Sequence, residues 1–93
     1  MAILKISKEI AKTIFICGGQ ARNIPDWARH ITHFTQEEFP RIPTSAIHCI
    51  ILADFIAHTK QTYIEKFFFG QIHVVHGGRT RLTDKLFEIV NNL

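Results

Sequence analysis

The segment from Ile42 to Thr59 contains a single formally charged side chain, Asp54, and no Lys, Arg or Glu. The rest of the chain carries all 11 Lys and Arg residues and every other acidic residue. A segment so poor in charge is expected to be buried, either in the core of its own domain or against another molecule, because surfaces in contact with water are rich in charged residues. This segment therefore constrains both the fold and the mode of action.

The apolar side chains of residues 43–68 follow a helical period. At about 100° per residue, one wide arc holds Ala46, Cys49, Ile50, Leu52, Ala53, Ile56, Ala57, Tyr63, Ile64, Phe67 and Phe68. A second apolar stripe, Ile47, Ile51 and Phe55, recurs at four-residue steps within the polar arc. The pattern predicts one long central helix over residues 43–68 that is apolar on two sides along its first half.

Two shorter helices are predicted before the central one. The first covers residues 2–16, where Ile3, Ile6, Ile10 and Ile14 form one stripe. Gly18 and Gly19 would end it, because glycine is the usual residue at a helix C-terminus. The second would run from Pro25 to Phe39, since proline is favoured in the first turn of a helix.

A small hairpin and a last helix are predicted after Gly70. Residues 71–76 and 79–82 would be its two strands, joined by the turn at Gly77 and Gly78. Thr83 would cap the C-terminal helix. The predicted fold is therefore mainly α with some β structure: four helices around a long central helix, with one small β-hairpin before the C-terminal helix. At 93 residues, the chain is predicted to form one domain over residues 1–93.

The cysteines and the hydropathy pattern indicate a cytoplasmic protein. Cys17 and Cys49 lie in apolar surroundings and are too few for a disulfide framework, so we expect buried, reduced thiols. No secretory signal is recognised, because Lys5, Lys8 and Lys12 interrupt the apolar residues at the N-terminus. The longest apolar run is too short to span a bilayer, and no membrane association is expected.

No set of residues predicts catalysis or a metal site. His30 and His33 would share a helix face, and His73 and His76 have the same spacing, but neither pair has nearby cysteine or acidic partners to complete a zinc site. Asp54 and His58 would pair across one helical turn, without a nucleophile beside them. We therefore predict no catalytic residues, no metal ligands and no cofactor, and expect the protein not to be an enzyme.

The central helix instead predicts a protein interface. Buried aromatic and aliphatic side chains are typical anchors of protein–protein contacts, and an apolar seam containing a polar pair is typical of self-association. The expected function is that of a small regulatory protein of the adaptor, chaperone or inhibitor type, binding a protein partner or itself as a homodimer. The predicted interface residues are Ile47, Ile51, Asp54, Phe55, His58, Phe67, Phe68 and Phe69.

The alternative function is that of a DNA-binding transcriptional regulator. The order of elements, together with Tyr63–Lys66, His76–Arg79 and Leu82–Asp84, resembles a winged helix-turn-helix domain. The resemblance implies that the helix beginning at Pro43 would read bases and that the wing would reach the backbone or minor groove. The nucleic-acid contacts expected under this alternative are Thr44, Ser45 and His48 on that helix, Arg79 and Arg81 on the wing, and the basic stripe of Lys5, Lys8 and Lys12.

The charge-free segment argues against this alternative. Base edges in the major groove are read mostly by Arg, Lys, Asn and Gln, and residues 42–59 contain none of these. The net charge of +3 is compatible with nucleic acid as a partner but does not require it. Interaction with protein is therefore the preferred interpretation.

Overall fold

A computed structural model describes residues 6–92 of the chain. Its centre is a sheet of four parallel strands in the order β2-β1-β3-β4. The strands are β1 (Ile14–Cys17), β2 (Thr32–Phe34), β3 (His48–Leu52) and β4 (Gln71–Val75). The α-helices are α1 (Lys8–Ala11), α2 (His58–Phe67) and α3 (Arg79–Asn91), and short 3₁₀ helices cover Ala21–Asn23, Asp26–Ala28 and Ala53–Phe55.

The burial of the two central strands explains why their sequences are apolar. Every residue of β1 is buried, and so are Cys49 to Leu52 of β3. A parallel strand covered on both faces reads as a continuous apolar run rather than as an alternating one. The β-branched residues Ile50 and Ile51 also pack well on a pleated surface. The most apolar run of the charge-free segment is therefore a central strand of the sheet.

The sheet has a hydrophobic cluster on each face. One cluster joins the strands to α3 and the N-terminal elements, with Ile16, Ile50 and Leu52 against Leu82 and Leu86. The other joins them to α2 and the segment before β3, with its fully buried members including Phe15, Cys17, Cys49, Ile51 and Ile64. The architecture is thus a three-layer α+β sandwich, in which α2 and α3 cover opposite faces.

The predicted architecture of four helices around a long central helix is wrong. Residues 43–68 contain a turn at Thr44–Ser45, the strand β3, a 3₁₀ helix and only then α2. The apolar run of β3 is too short for its periodicity to distinguish a buried helix from a buried parallel strand. The stripe of Ile47, Ile51 and Phe55 at four-residue steps therefore does not describe one side of a helix.

The other predicted helices and the predicted hairpin also differ from the elements of the structure. Among the described residues, the first predicted helix is reduced to α1 and is followed directly by β1. The second becomes a 3₁₀ helix and the strand β2. Residues 71–75 are a strand, but Arg79 to Leu82 form the first turn of α3 and not a returning strand. The winged-helix architecture is therefore wrong, since the wing and the helix from Pro43 do not exist.

No α-helix within residues 6–92 is long and apolar enough to cross a membrane.

Candidate functional site

An apolar groove opens at the amino end of the sheet, where β3 and β4 begin. Two segments form it: residues 42–47, which lead into β3, and residues 67–70, which join α2 to β4. The backbone N–H of Gln71 donates to the carbonyl of Ile47 at 2.9 Å, which holds the two segments together. We call this feature the Phe69 groove; it is lined by Ile42, Pro43, Thr44, Ala46, Ile47, Phe67, Phe68, Phe69 and Gly70.

The three consecutive phenylalanines after Lys66 point in different directions. Phe68 is buried and its ring packs edge-to-face on Phe15, with centroids 5.2 Å apart. Phe67 is 50% exposed and Phe69 is 93% exposed. Ile47, on the facing segment, is 51% exposed. One phenylalanine therefore anchors the segment to the core, while its two neighbours present apolar surface to the solvent.

An aromatic ridge extends the groove along α2. The ring of Tyr63 lies 5.0 Å from that of Phe67 and 4.8 Å from that of Phe39. Phe39 is 57% exposed. Such contacts between aromatic rings stabilise the ridge beyond the burial of its area. The groove and the ridge together form a continuous apolar surface. Such a surface indicates an interaction site, whereas apolar residues scattered singly over a surface do not.

Basic groups lie beside the groove, which no charged side chain lines, while at the ridge Glu38 shares a depression with Phe39 and Arg41. Lys66 Nζ lies 5.6 Å from the centroid of the Phe67 ring, a cation–π distance. The hydroxyl of Ser45 donates to the carbonyl of Lys12 at 2.9 Å, which places α1 beside the groove segment. Arg41 is exposed immediately before Ile42. Glu65 points away, since two residues along a helix turn a side chain by about 200° from Phe67.

A separate polar cluster lies at the carboxyl end of the sheet. His76 Nδ1 donates to Asp54 Oδ1 at 3.0 Å, and the backbone N–H of Gly77 donates to Asp54 Oδ2 at 2.8 Å. These two hydrogen bonds hold the pKa of Asp54 below its usual range, since they favour the ionised carboxylate. Asp54 thereby links the end of β3 to the turn that starts α3.

The loop after β1 is tied into the same end of the sheet. The N–H of Gly18 donates to Phe34 O and that of Gly19 to Phe55 O, both at 2.9 Å. Gly18 has φ +101° and Gly19 has φ +70°, which favour glycine. Both amides are occupied, one by the last carbonyl of β2 and the other by a carbonyl of the 3₁₀ helix Ala53–Phe55. This diglycine therefore joins the loop after β1 to both elements and offers these two amides to no ligand.

Two histidines meet on the face of the sheet that α3 covers. His48 Nδ1 and His73 Nε2 are 3.1 Å apart, so one ring donates a hydrogen bond to the other. Burial lowers the pKa of both imidazoles, and the positive charge of the neighbouring ring and of Lys85 lowers that of His73 further. Both rings are therefore favoured in the neutral form, which lets one nitrogen donate and the other accept.

The structure separates the predicted interface residues into three groups. Ile47, Phe67 and Phe69 come together, exposed, around the groove. Ile51 and Phe68 are buried in the core. Asp54, Phe55 and His58 lie at the opposite, carboxyl end of β3. The predicted pairing of Asp54 with His58 is wrong, because Asp54 binds His76 and Gly77, while His58 Nε2 lies 3.4 Å from Thr62 Oγ1.

The structure also disperses the predicted nucleic-acid contacts. Lys5 lies outside the described residues. Five of the others belong to the amino end of the sheet: Lys8, Lys12, Thr44, Ser45 and His48. Arg79 and Arg81 lie at the carboxyl end, in the first turn of α3. His48 is half-buried against His73 rather than exposed to a ligand. These residues do not form one surface.

The histidine pairs considered for metal binding do not act as pairs. His30 precedes β2 and His33 lies within it, while His73 contacts His48 and His76 contacts Asp54. Within the part of the chain that the structure describes, no three His, Cys, Asp or Glu side chains are placed to hold a metal ion.

The two cysteines are buried and unbridged, as expected from their surroundings. A hydrogen bond with Cys17 and burial raise the pKa of the Cys49 thiol far above its usual range. Nucleophilic chemistry requires the thiolate, so the structure favours an unreactive thiol at Cys49.

Sequence reasoning missed three features of these sites. Phe39 and Tyr63 extend the apolar surface, and only tertiary packing brings them together. The contact of His48 with His73 joins β3 to β4, and the contact of Asp54 with His76 joins the segments that directly follow these two strands. Parallel neighbours are distant in sequence, so no local spacing signals such pairs.

No protein-family model, curated protein or solved structure matches the chain. The function is therefore inferred from the surface of the molecule itself.

Proposed function

We propose that this protein is a small, non-enzymatic interaction protein that binds a protein partner through the Phe69 groove and the adjoining aromatic ridge. An adaptor or an inhibitor that acts by occupying a surface on its partner needs no catalytic group. The proposal retains the type of function expected from the sequence and the part of the predicted interface around Ile47, Phe67 and Phe69. It extends that part to residues 42–47, 67–70, Phe39 and Tyr63.

The observation that carries the proposal is the exposure of Phe69. Its side chain is 93% exposed at the mouth of an apolar groove, beside Ile47 and Phe67, which are 51% and 50% exposed. The fold does not need Phe69, since Phe68 supplies the buried contact with Phe15. Aromatic residues that project beside a pocket are typical anchors of protein interfaces.

The charge around the groove indicates the chemistry of the partner. Lys66 lies over the Phe67 ring, and the exposed Arg41 directly precedes Ile42, beside an apolar floor that carries no charge. A partner segment with one or two large apolar side chains and acidic residues on either side would complement this arrangement. The acidic residues would raise the association rate and favour one orientation, while the apolar side chains would provide most of the affinity.

A selection from a random-peptide display library tests this proposal without a known partner. The immobilised wild-type protein is expected to enrich peptides in which Phe, Leu, Ile or Trp is flanked by Asp or Glu. The same selection on Phe69→Ser is expected to lose these peptides, because the substitution removes the exposed ring.

Phe55→Ser is the matched control. Phe55 is another exposed phenylalanine, 36% exposed, at the opposite end of the sheet, so the control should enrich the same peptides as the wild type. Enrichment of peptides that bind Phe69→Ser as well as the wild type, or no enrichment at all, would contradict the proposal.

Binding of nucleic acid remains a separate prediction, although the winged-helix fold that suggested it is wrong. Arg79 and Arg81 are both exposed, and substitution of both by alanine should weaken any salt-dependent binding of duplex DNA. Absence of binding at low salt would remove this alternative.

A further inference from the structure

The outer edge of β4 has backbone groups that no other strand of the described chain satisfies. β4 is the last strand of the sheet, with β3 on one side only. The N–H of Gln71 points toward β3, since it donates to Ile47 O. Backbone groups alternate sides along a strand, so His73 and Val75 also face β3, whereas Ile72 and Val74 direct their N–H and C=O groups outward.

This edge lacks the features that usually prevent pairing with another chain. Exposed edges are commonly protected by charged side chains, proline or a bulge. β4 contains no formally charged residue and no proline. Its pairing with β3 is regular over all five residues, without a bulge. Val74, whose backbone groups point away from β3, is 45% exposed.

The helix beside this edge has a charge pattern that is complementary to itself. Arg81, Asp84, Lys85 and Glu88 line one depression together with Val74 and Val75. The signs alternate as basic, acidic, basic, acidic along α3. When two such helices lie antiparallel, Arg81 faces Glu88 of the other copy and Asp84 faces Lys85. Lys85 Nζ and Glu88 Oε2 already pair at 3.0 Å within the helix, so the contact would extend an existing ion pair.

We propose that β4 pairs antiparallel with β4 of a second copy of this chain, forming a symmetric dimer with one continuous eight-stranded sheet. The twofold axis passes beside Val74, so that Val74 of each copy exchanges N–H···O bonds with the other, and Ile72 pairs with His76 across the axis. Two copies of α3 then lie side by side on one face. A twofold interface requires a surface that is complementary to itself, and the outward register of β4 and the charges of α3 both meet this requirement.

The mass in solution is the first test. Size-exclusion chromatography with light scattering should show twice the chain mass of 10.7 kDa, with dissociation on dilution from millimolar to micromolar concentration. Val74→Lys should shift the protein to the monomer, because it places a charge at the centre of the paired edge. Circular dichroism verifies that the variant remains folded.

A charge exchange in α3 provides a test that does not depend on β4. Arg81→Glu should raise the dissociation constant of the dimer by about tenfold, because it places two carboxylates opposite each other. The double variant Arg81→Glu with Glu88→Arg should restore dimerisation, since each pair is re-formed with its charges exchanged. A merely structural effect of these surface residues would not be rescued in this way.

Cross-linking tests the register itself. In a directly hydrogen-bonded antiparallel pair the Cα atoms are about 5.5 Å apart, within the range that a disulfide spans. Val74→Cys should therefore form a disulfide-linked dimer under mild oxidation. Once the disulfide has formed, the linked fraction should stay constant when the protein is diluted below the dissociation constant of the dimer. Phe69→Cys is the control, since its 93% exposed position lies outside the proposed interface.

Two results would overturn the dimer. One is a monomer at every concentration, and the other is a dimer that Val74→Lys and Arg81→Glu leave intact. A dimer lost in Phe69→Ser but retained in Val74→Lys would place self-association in the Phe69 groove instead. Because this interface uses β4 and α3, its failure leaves the peptide-binding proposal standing, and the reverse also holds.

Discussion

Asp54 connects the carboxyl ends of β3 and β4 by accepting a hydrogen bond from His76 Nδ1 at 3.0 Å and another from the N–H of Gly77 at 2.8 Å. A carboxylate at this position fixes the turn from which α3 starts. The charged residue of the otherwise charge-free segment therefore has its structural partners in the turn that follows β4, and not on its own element.

Substitution of Asp54 by alanine should lower the melting temperature, because the turn before α3 loses two hydrogen bonds. The pKa of Asp54 is lowered in the folded state, so its contribution to stability is present above the pKa of the unfolded chain. That contribution is lost as the pH falls through the folded-state pKa. Melting temperatures of wild type and Asp54→Ala, measured from neutral to acidic pH, should converge at the acidic end. A constant difference would contradict the assignment.

The two diglycine turns should respond differently to alanine. At Gly18, φ is +101° and an added Cβ would lie 2.9 Å from Leu52 O and 3.0 Å from Phe55 O. Gly18→Ala should destabilise the fold by about 1–3 kcal/mol from backbone strain, with the close contacts adding to this. Gly78→Ala is the control, because nothing lies within 4 Å of its added Cβ. Equal urea midpoints for the two variants would show that the loop after β1 is not packed as described.

The contact between His48 and His73 should make stability depend on pH. Burial lowers the pKa of both imidazoles in the folded state. The stability is therefore complete above the ordinary histidine pKa of 6.5 and decreases as the pH falls below it, until the folded-state pKa is passed.

Urea unfolding between about pH 8 and pH 5, which brackets the ordinary histidine pKa, measures this dependence. The double variant His48→Gln with His73→Gln should flatten the acidic decline. His30→Gln is the control, because His30 is exposed. If the double variant loses stability at acidic pH as the wild type does, groups other than His48 and His73 cause the loss.

Adjacent phenylalanines should differ sharply in their contribution to stability. Phe68 is 6% exposed and packs on Phe15, so Phe68→Ala should reduce the free energy of unfolding by about 3–5 kcal/mol. Phe69 is 93% exposed, and Phe69→Ala should change it by less than about 0.5 kcal/mol. Chemical denaturation of the two variants measures both values. A large loss in Phe69→Ala would mean that the residue is structural rather than an exposed anchor.

The lack of charge in residues 42–59 predicted burial of the whole segment, and this is correct only for part of it. Cys49 to Leu52 are buried, whereas Ile47 and Phe55 are exposed. Leu52 and Phe67 fit one helical periodicity, so the sequence did not reveal that β3 ends at Leu52 and that α2 begins only at His58. A short, wholly apolar run satisfies both a helix and a central parallel strand. Only pairing with β1 decides between them, and that pairing is not local.

The candidate sites were predictable to different degrees. The cluster Phe67 to Phe69 was predicted as an interface from the sequence, because aromatic side chains are typical anchors of protein contacts; the structure leaves Phe67 and Phe69 exposed. The residues that extend it, Phe39 and Tyr63, come from separate elements. The charge alternation of α3 is visible in the sequence, but its position beside the edge strand β4 depends on the fold.

The most direct test of the proposed function is to map where an acidic-flanked apolar peptide binds. Backbone amide chemical shifts of the labelled protein, recorded as the peptide is added, should change mainly in residues 42–47 and 63–70. Phe69→Ser should abolish these changes without altering the spectrum elsewhere. Shift changes confined to the carboxyl end of the sheet, around Asp54 and His76, would contradict the account and place the binding surface at the opposite end of the molecule.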